Sequence, residues 1–242
     1  MASSSDTPAH FRIVDLETTG TTPNDAVVEI GAVDLVGREI IPIGSDLVRP
    51  PVPIPPQASA VHQITDDDVS GCPSLEEFLP FYMDEDRDAG ADVFVAHKWA
   101  FEAQWLGDHL QGRPAICTYK AALRLWPEAP GHGNQVLRYW LRPKGLSPVI
   151  ANPPHRALPD AYVTAFVLRE LLELATVEEL IAWTGEPALL PSVTFGQYRG
   201  RGWDEVPLDY LAWIVDRSEL GEDIRFTAQH HRRLRLGQVT AA

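Results

Sequence analysis

The stretch FRIVDLETTGTTPNDAVVEIG, residues 11–31, decides how the rest of this chain is read. Residues 11–15 are short, β-prone and largely apolar, and they run into Thr18-Thr19-Gly20, a combination that ends a strand in a loop. Asp15 and Glu17 stand two apart at that strand end. Alternate side chains of a strand point to one face, so the two carboxylates share it. A pair of hard oxygen donors on one face suits Mg²⁺ or Mn²⁺. A solvated strand end is the plain alternative, and apolar Phe11, Ile13 and Val14 argue against it by marking the strand as buried. A D-x-E pair recurs by chance, so its meaning depends on what the rest of the chain supplies.

Working outward, residues 26–36 (AVVEIGAVDLV) form a second strand, with Glu29 and Asp34 as its charged exceptions, and residues 39–49 a third. Val36-Gly37-Arg38 suits the hairpin turn between them. Residues 50–56 are proline-dense and read as an extended loop. Thr65 before Asp66, Asp67 and Asp68, and Ser74 with Glu77 three residues on, mark two short helix starts. Strands are expected at 92–96 and 115–117, and helices at 99–110, 119–126, 135–141, 159–174 and 178–183. The order predicts an α/β fold: a mixed sheet flanked by helices. Composition changes after Gly185-Glu186-Pro187. Beyond it lie residues 193–199, a glycine-rich turn (Arg199-Gly200-Arg201-Gly202), a helix at 208–215 and a basic helix at 223–236. The expected organisation is a disordered lead-in at 1–9, a main domain at 10–186 and a small C-terminal module at 187–242.

Hydrophobic residues make up 45% of the 242 positions, enough for a substantial core. No apolar run is long enough to span a membrane, and residues 1–10 lack the features of a secretory signal. Cys72 and Cys117 are far apart and read as reduced thiols, so a cytoplasmic location is expected. Net charge is −14, and residues 191–242 carry seven basic and seven acidic residues, which leaves the whole excess in residues 1–190. A carboxylate-rich site takes up divalent cations that offset such charge.

The second piece is His155-Arg156-Ala157-Leu158-Pro159-Asp160 at the entry to the long helix. Asp160 can complete a carboxylate cluster with Asp15 and Glu17. His155 can accept a proton from water, and an imidazole near its reference pKa of about 6.5 suits a general base. Alone, His155 would read as a loop histidine; its spacing to Asp160 reverses that.

Together these residues resemble the DEDDh exonucleases, the DnaQ-like family. Residues 11–31 are similar to its first motif and His155 to Asp160 to its third, H-x(4)-D. His97-Lys98-Trp99-Ala100-Phe101-Glu102 stands where the middle motif reads H-N-A-x-F-D, and Val61-His62-Gln63-Ile64-Thr65 resembles a histidine-containing loop segment. The resemblance covers about residues 10–175. It implies an RNase H-like fold and 3′→5′ phosphodiester hydrolysis with two Mg²⁺ or Mn²⁺ ions roughly 3.5–4 Å apart. Asp15, Glu17, Glu102 and Asp160 would be the ligands and His155 the base, with nucleoside 5′-monophosphates as products. Leu16, Thr18, Thr19, Gly20 and His97 would surround the terminal nucleotide, although His97 also reads as a structural histidine. Glu102 is one methylene longer than the family's aspartate, and Lys98 replaces a common asparagine.

Residues 194–214 resemble a C-terminal segment of exonuclease X-like proteins through Phe195, Gly196, Tyr198, Gly200 and Trp213. Tyr198, Arg199, Arg201 and Trp203 could pair cations with aromatics for nucleic-acid contact, as Lys98 could in the main domain; a self-packed structural hairpin is the equal alternative. The expected partner is nucleic acid, with DNA favoured over RNA by this second resemblance, and no membrane. An RNA 3′-end exoribonuclease is the alternative, as is a catalytically weakened nucleic-acid-binding protein, which Glu102 would explain. Trp99, Trp105, Trp126 and Trp140 read as core, and His230 and His231 as solvated.

Overall fold

The computed structural model describes residues 9–84, 90–217 and 219–237; the expected lead-in, apart from Ala9, lies outside them. The first three strands, β1 (His10–Thr18), β2 (Val27–Val36) and β3 (Glu39–Leu47), pair antiparallel in sequence, with the Gly37 turn joining β2 to β3. Gly37 takes a positive φ of 61° there. Three short helices follow: α1 (Pro56–His62), α2 (Asp66–Val69) and α3 (Leu75–Tyr82). Then come β4 (Val93–Ala96), α4 (Trp99–Leu106), β5 (Ala115–Cys117), α5 (Thr118–Leu125), α6 (Asn134–Leu141), α7 (Ala157–Leu171) and α8 (Val177–Gly185). β4 pairs parallel with β1, and β5 parallel with β4, giving the order β3-β2-β1-β4-β5. This is the RNase H-like mixed sheet.

The period-two alternation of β1 divides the core. Phe11 and Ile13 join Val33, Leu35 and the buried residues of α5 and α7 on one face; Val14 and Leu16 join Ile30, Ala32, Trp99 and Leu106 on the other. Asp15 and Glu17 share the parity of Phe11 and Ile13, so they emerge on the α7 face. Beyond α8, α9 (Leu208–Arg217) and α10 (Glu222–Arg235) enclose a separate cluster of Val193, Trp203, Val206, Leu211, Ile214 and Ala228. Arg124 of α5 pairs with Glu186 at 2.5 Å and stands over the rings of Trp183 and Phe226. No helix among the described residues is long and apolar enough to cross a membrane.

Several expectations needed correction. The proline-rich loop yields to helix at Pro56, because proline at the first helical position loses no hydrogen bond, and His62 is the buried last residue of that helix. The helix expected at 99–110 tightens into a 3₁₀ turn at Gly107–Leu110. The long helix starts at Ala157, two residues before its proline, because the N–H groups of a first helical turn have no partner within the helix for a proline to remove. Trp203 is 1% exposed and belongs to the core rather than to a stacking surface. Trp213 of the same segment is 44% exposed and stacks on Tyr210. His230 and His231 are half-buried rather than solvated, His231 stacked on Trp203.

Candidate active site

β1 ends in a register shift between Glu17 and Thr18, immediately after the two carboxylates. Across the ladder, Asp15 faces Gly31 and Glu17 faces Glu29. The first turn of α7 lies directly on Gly31: a Cβ there would sit 2.6 Å from the Leu158 nitrogen and 2.7 Å from the Ala157 carbonyl carbon. The missing side chain is what lets α7 descend onto the strand. Asp160 thereby meets Asp15 and Glu17, with one oxygen from each within 4.8 Å of the others. Its carboxylate is oriented on both sides. Gln135 Nε2 donates to Oδ1 at 2.7 Å, and the His155 main-chain N–H donates to Oδ2 at 2.7 Å. Asn134 Nδ2 donates to the Asp160 carbonyl at 2.9 Å, which ties α6 to α7.

Glu29 is 1% exposed and does not join that cluster. Arg156 clamps it with two bonds of 2.8 Å, and the Ala157 N–H adds a third at 3.0 Å. A bidentate guanidinium–carboxylate pair is strongly directional. It fixes the residue between His155 and α7, and so the segment that carries both His155 and Asp160. Sequence reading missed Glu29, Arg156, Asn134 and Gln135 as site residues. The available signal was a charged residue inside the otherwise apolar second strand.

Glu102 lies on α4, 3% exposed, and is not part of the three-carboxylate cluster. Its Oε2 is buried without a hydrogen-bond partner. Burial pushes its carboxyl up to about 8. Burial and the neighbouring Asp160 and Glu29 carboxylates push Glu17 to about 8 as well, and Asp15 is raised well above its ordinary value by burial, then by Asp160 and Glu17. Carboxylates crowded into a low-dielectric site resist ionisation unless a cation accompanies them. The three clustered carboxylates and the orphaned Glu102 oxygen therefore fit divalent cations.

A cleft of about 720 Å³ opens over these groups. Asp15, Leu16, Glu17, Thr18, Thr19, Gly20, His97, Lys98, Glu102, His155 and Asp160 all line it, whereas Tyr198, Arg199 and Arg201 do not. The wall formed by residues 18–26 is braced by Asp25, which accepts the Thr22 N–H at 2.8 Å and the Thr19 hydroxyl at 3.3 Å. These bonds, led by Thr22, lower the Asp25 pKa. His97 Nε2 meets the His132 carbonyl at 2.8 Å and Nδ1 meets Thr118 Oγ1 at 2.9 Å, and burial pushes the ring down to about 4. His155 is exposed at the rim with φ 59°, and Lys98 caps α4 with φ 80°. Non-glycine residues in this left-handed region concentrate at functional sites.

Residues 13–168 match the RNase_T family, described as exonuclease. The chain belongs to this family, the DEDDh class of 3′→5′ exonucleases acting on nucleic acid. It is similar to exodeoxyribonuclease 10 of Escherichia coli (strain K12), 35% identical over 227 residues, which span 91% of this chain and 98% of that protein. Among solved structures, exonuclease X in complex with 5′ overhanging duplex DNA is 34% identical with a TM-score of 0.60, covering 72% of this chain and 99% of that one. The nuclease domain of 3′hExo, described as a DEDDh family member bound to rAMP, shares the fold at 17% identity and a TM-score of 0.53, over 71% of this chain and 94% of that domain.

Proposed function

We propose that the chain removes nucleotides from single-stranded 3′ ends of DNA, releasing nucleoside 5′-monophosphates, with His155 as general base. The observation that carries this reading is the convergence of Asp15, Glu17 and Asp160 within 4.8 Å, beside the imidazole-bearing loop that Asp160 itself anchors. Asp15, Glu17, Asp160 and Glu102 would hold two Mg²⁺ or Mn²⁺ ions, which when bound polarise the scissile phosphate and lower the pKa of the attacking water. The chain's own contribution is position and proton transfer. The bonded wall at Thr18–Gly20 holds the sugar of the terminal nucleotide. His155 takes the proton of the attacking water. The bond from its main chain to Asp160 ties the histidine's loop to the carboxylate cluster. Exodeoxyribonuclease 10 and the DNA-bound exonuclease X support DNA as the substrate.

The test uses 5′- and 3′-labelled oligonucleotides of single-stranded DNA, duplex DNA and RNA, with Mg²⁺ or Mn²⁺. Mononucleotides released stepwise from the 3′ end, fastest from single-stranded DNA, are expected, with loss of turnover in Asp15→Ala. Binding without release under either metal would overturn the reading.

A further inference from the structure

Among the described residues up to 190, five lysines and arginines are exposed, and three of them, Arg38, Arg142 and Lys144, border one pocket of about 510 Å³, where Arg169 also lies. In a chain with 34 acidic against 20 basic residues, that concentration needs a reason. Two of the four cations are partly neutralised: Arg38 meets Glu173 at 2.5 Å and Arg169 meets Glu170 at 3.4 Å. Arg142 and Lys144 form no ion pair among the described residues.

Between this pocket and the catalytic cleft lies α6. Its Gln135 and Val136 line the cleft, and the same two residues line an apolar groove with Tyr139 and Trp140. Leu141 and Arg142 then border the basic pocket. Positions 136, 139 and 140 follow the i, i+3, i+4 rule and share one side of α6, which ends at Leu141 with Arg142 as its left-handed cap. Val136 is 42% exposed and Tyr139 is 66% exposed. The buried Arg138 guanidinium, 5.0 Å from the Tyr139 ring centroid, steadies that ring from beneath. At 1.5 Å of rise per residue, Gln135 and Arg142 are about 10 Å apart along the axis. That spans about three stacked nucleotides at 3.4 Å of strand each.

We infer that α6 is a track for the strand upstream of the cleaved nucleotide, with bases stacking on Val136 and Tyr139 and backbone phosphates seated at Arg142 and Lys144. This inference rests on the exonuclease reading, and it places substrate-binding cations inside the acidic portion of the chain rather than in its C-terminal module.

The test is fluorescence anisotropy of a labelled single-stranded DNA 20-mer in EDTA, which reads binding without turnover. Arg142→Gln/Lys144→Gln should raise Kd roughly tenfold and reduce the slope of log K against log salt by about 1.4, at 0.7 per single-strand phosphate. Lys144→Gln alone, outside any helix, should give half that slope change. Tyr139→Ala should weaken binding roughly tenfold, and Tyr139→Phe should not. Hydrolysis of a dinucleotide, too short to reach the pocket, should keep its kcat/KM in every variant. Unchanged Kd and slope in the double variant would overturn the track. So would an equal loss of affinity for thymidine 5′-monophosphate, which would make the pocket a small-anion site. Absence of nucleotide release by the unaltered protein would instead refute the exonuclease reading, and the anisotropy would still decide the track.

Discussion

Replacing Gly31 by alanine is the sharpest probe of how this site is assembled. The added Cβ would lie 2.6 Å from the Leu158 nitrogen, whereas ordinary contact begins near 3.4 Å. Both opposing atoms are main chain, so neither can swing away. The start of α7 must retreat by roughly 0.8 Å, taking His155 and Asp160 away from Asp15 and Glu17, which stay with the sheet. Overpacking of this kind destabilises by about 1–3 kcal/mol. In a chain of 242 residues that corresponds to a Tm loss of roughly 2–12 °C. A displacement near 1 Å in a catalytic constellation lowers turnover by roughly a hundredfold. The assay is kcat on a labelled oligonucleotide, paired with thermal unfolding. Gly185→Ala serves as control, because nothing lies within 4 Å of the position where its Cβ would go. A Gly31→Ala protein with wild-type Tm and kcat within twofold would refute the argument that this contact sets the carboxylate geometry.

Four further outcomes are expected. Arg156→Ala leaves Glu29 buried without its countercharge and should reduce unfolding free energy in urea by about 3 kcal/mol, with lysine restoring only part because it lacks the fork; an unchanged midpoint would rule out the clamp. Glu102→Asp withdraws a carboxylate that already lies outside the tight cluster, so half-maximal activity should need roughly tenfold more Mg²⁺ or Mn²⁺, and an equal or lower requirement would contradict this. Glu17 and Glu102, raised to about 8, bind protons in the metal-free fold that the unfolded chain has released above about 4.5; their share of metal-free stability is full below that pH and is lost as pH rises to 8. Cations displace those protons, so the gain in Tm on adding Mg²⁺ should grow from pH 5 to pH 8, and a gain independent of pH would count against the site. His155→Ala should lower kcat by roughly 10²–10⁴ while leaving oligonucleotide affinity in EDTA intact, and full turnover would remove it as the base.

Much of the framework was legible in residue order. Alternation in β1 set its two faces, the Gly37 turn set the hairpin, and Thr65 and Ser74 announced their helices through the acids that follow them. The carboxylates of β1 were visible as a pair because they sit two apart. Their link to residue 160 came from motif spacing and not from any local rule. What stayed hidden was long-range: Glu29 is a charged exception without a role in an apolar strand until Arg156, 127 positions later, closes on it. Likewise Arg38 and Arg142 are scattered surface cations until the sheet edge and α6 bring them to one pocket.

Sequence alone determined which residues are chemically equipped: acids on one strand face, a histidine ahead of an acid at a helix entry, and an acid one methylene too long in the middle motif. The tertiary structure decided which of them meet. Asp160 joins Asp15 and Glu17 because Gly31 has no side chain to hold α7 away, while Glu102 stands apart, buried with an unpaired oxygen. The reason is physical: local order fixes the direction in which a side chain points, but its distance from a partner far along the chain is set by how closely two backbones can pack.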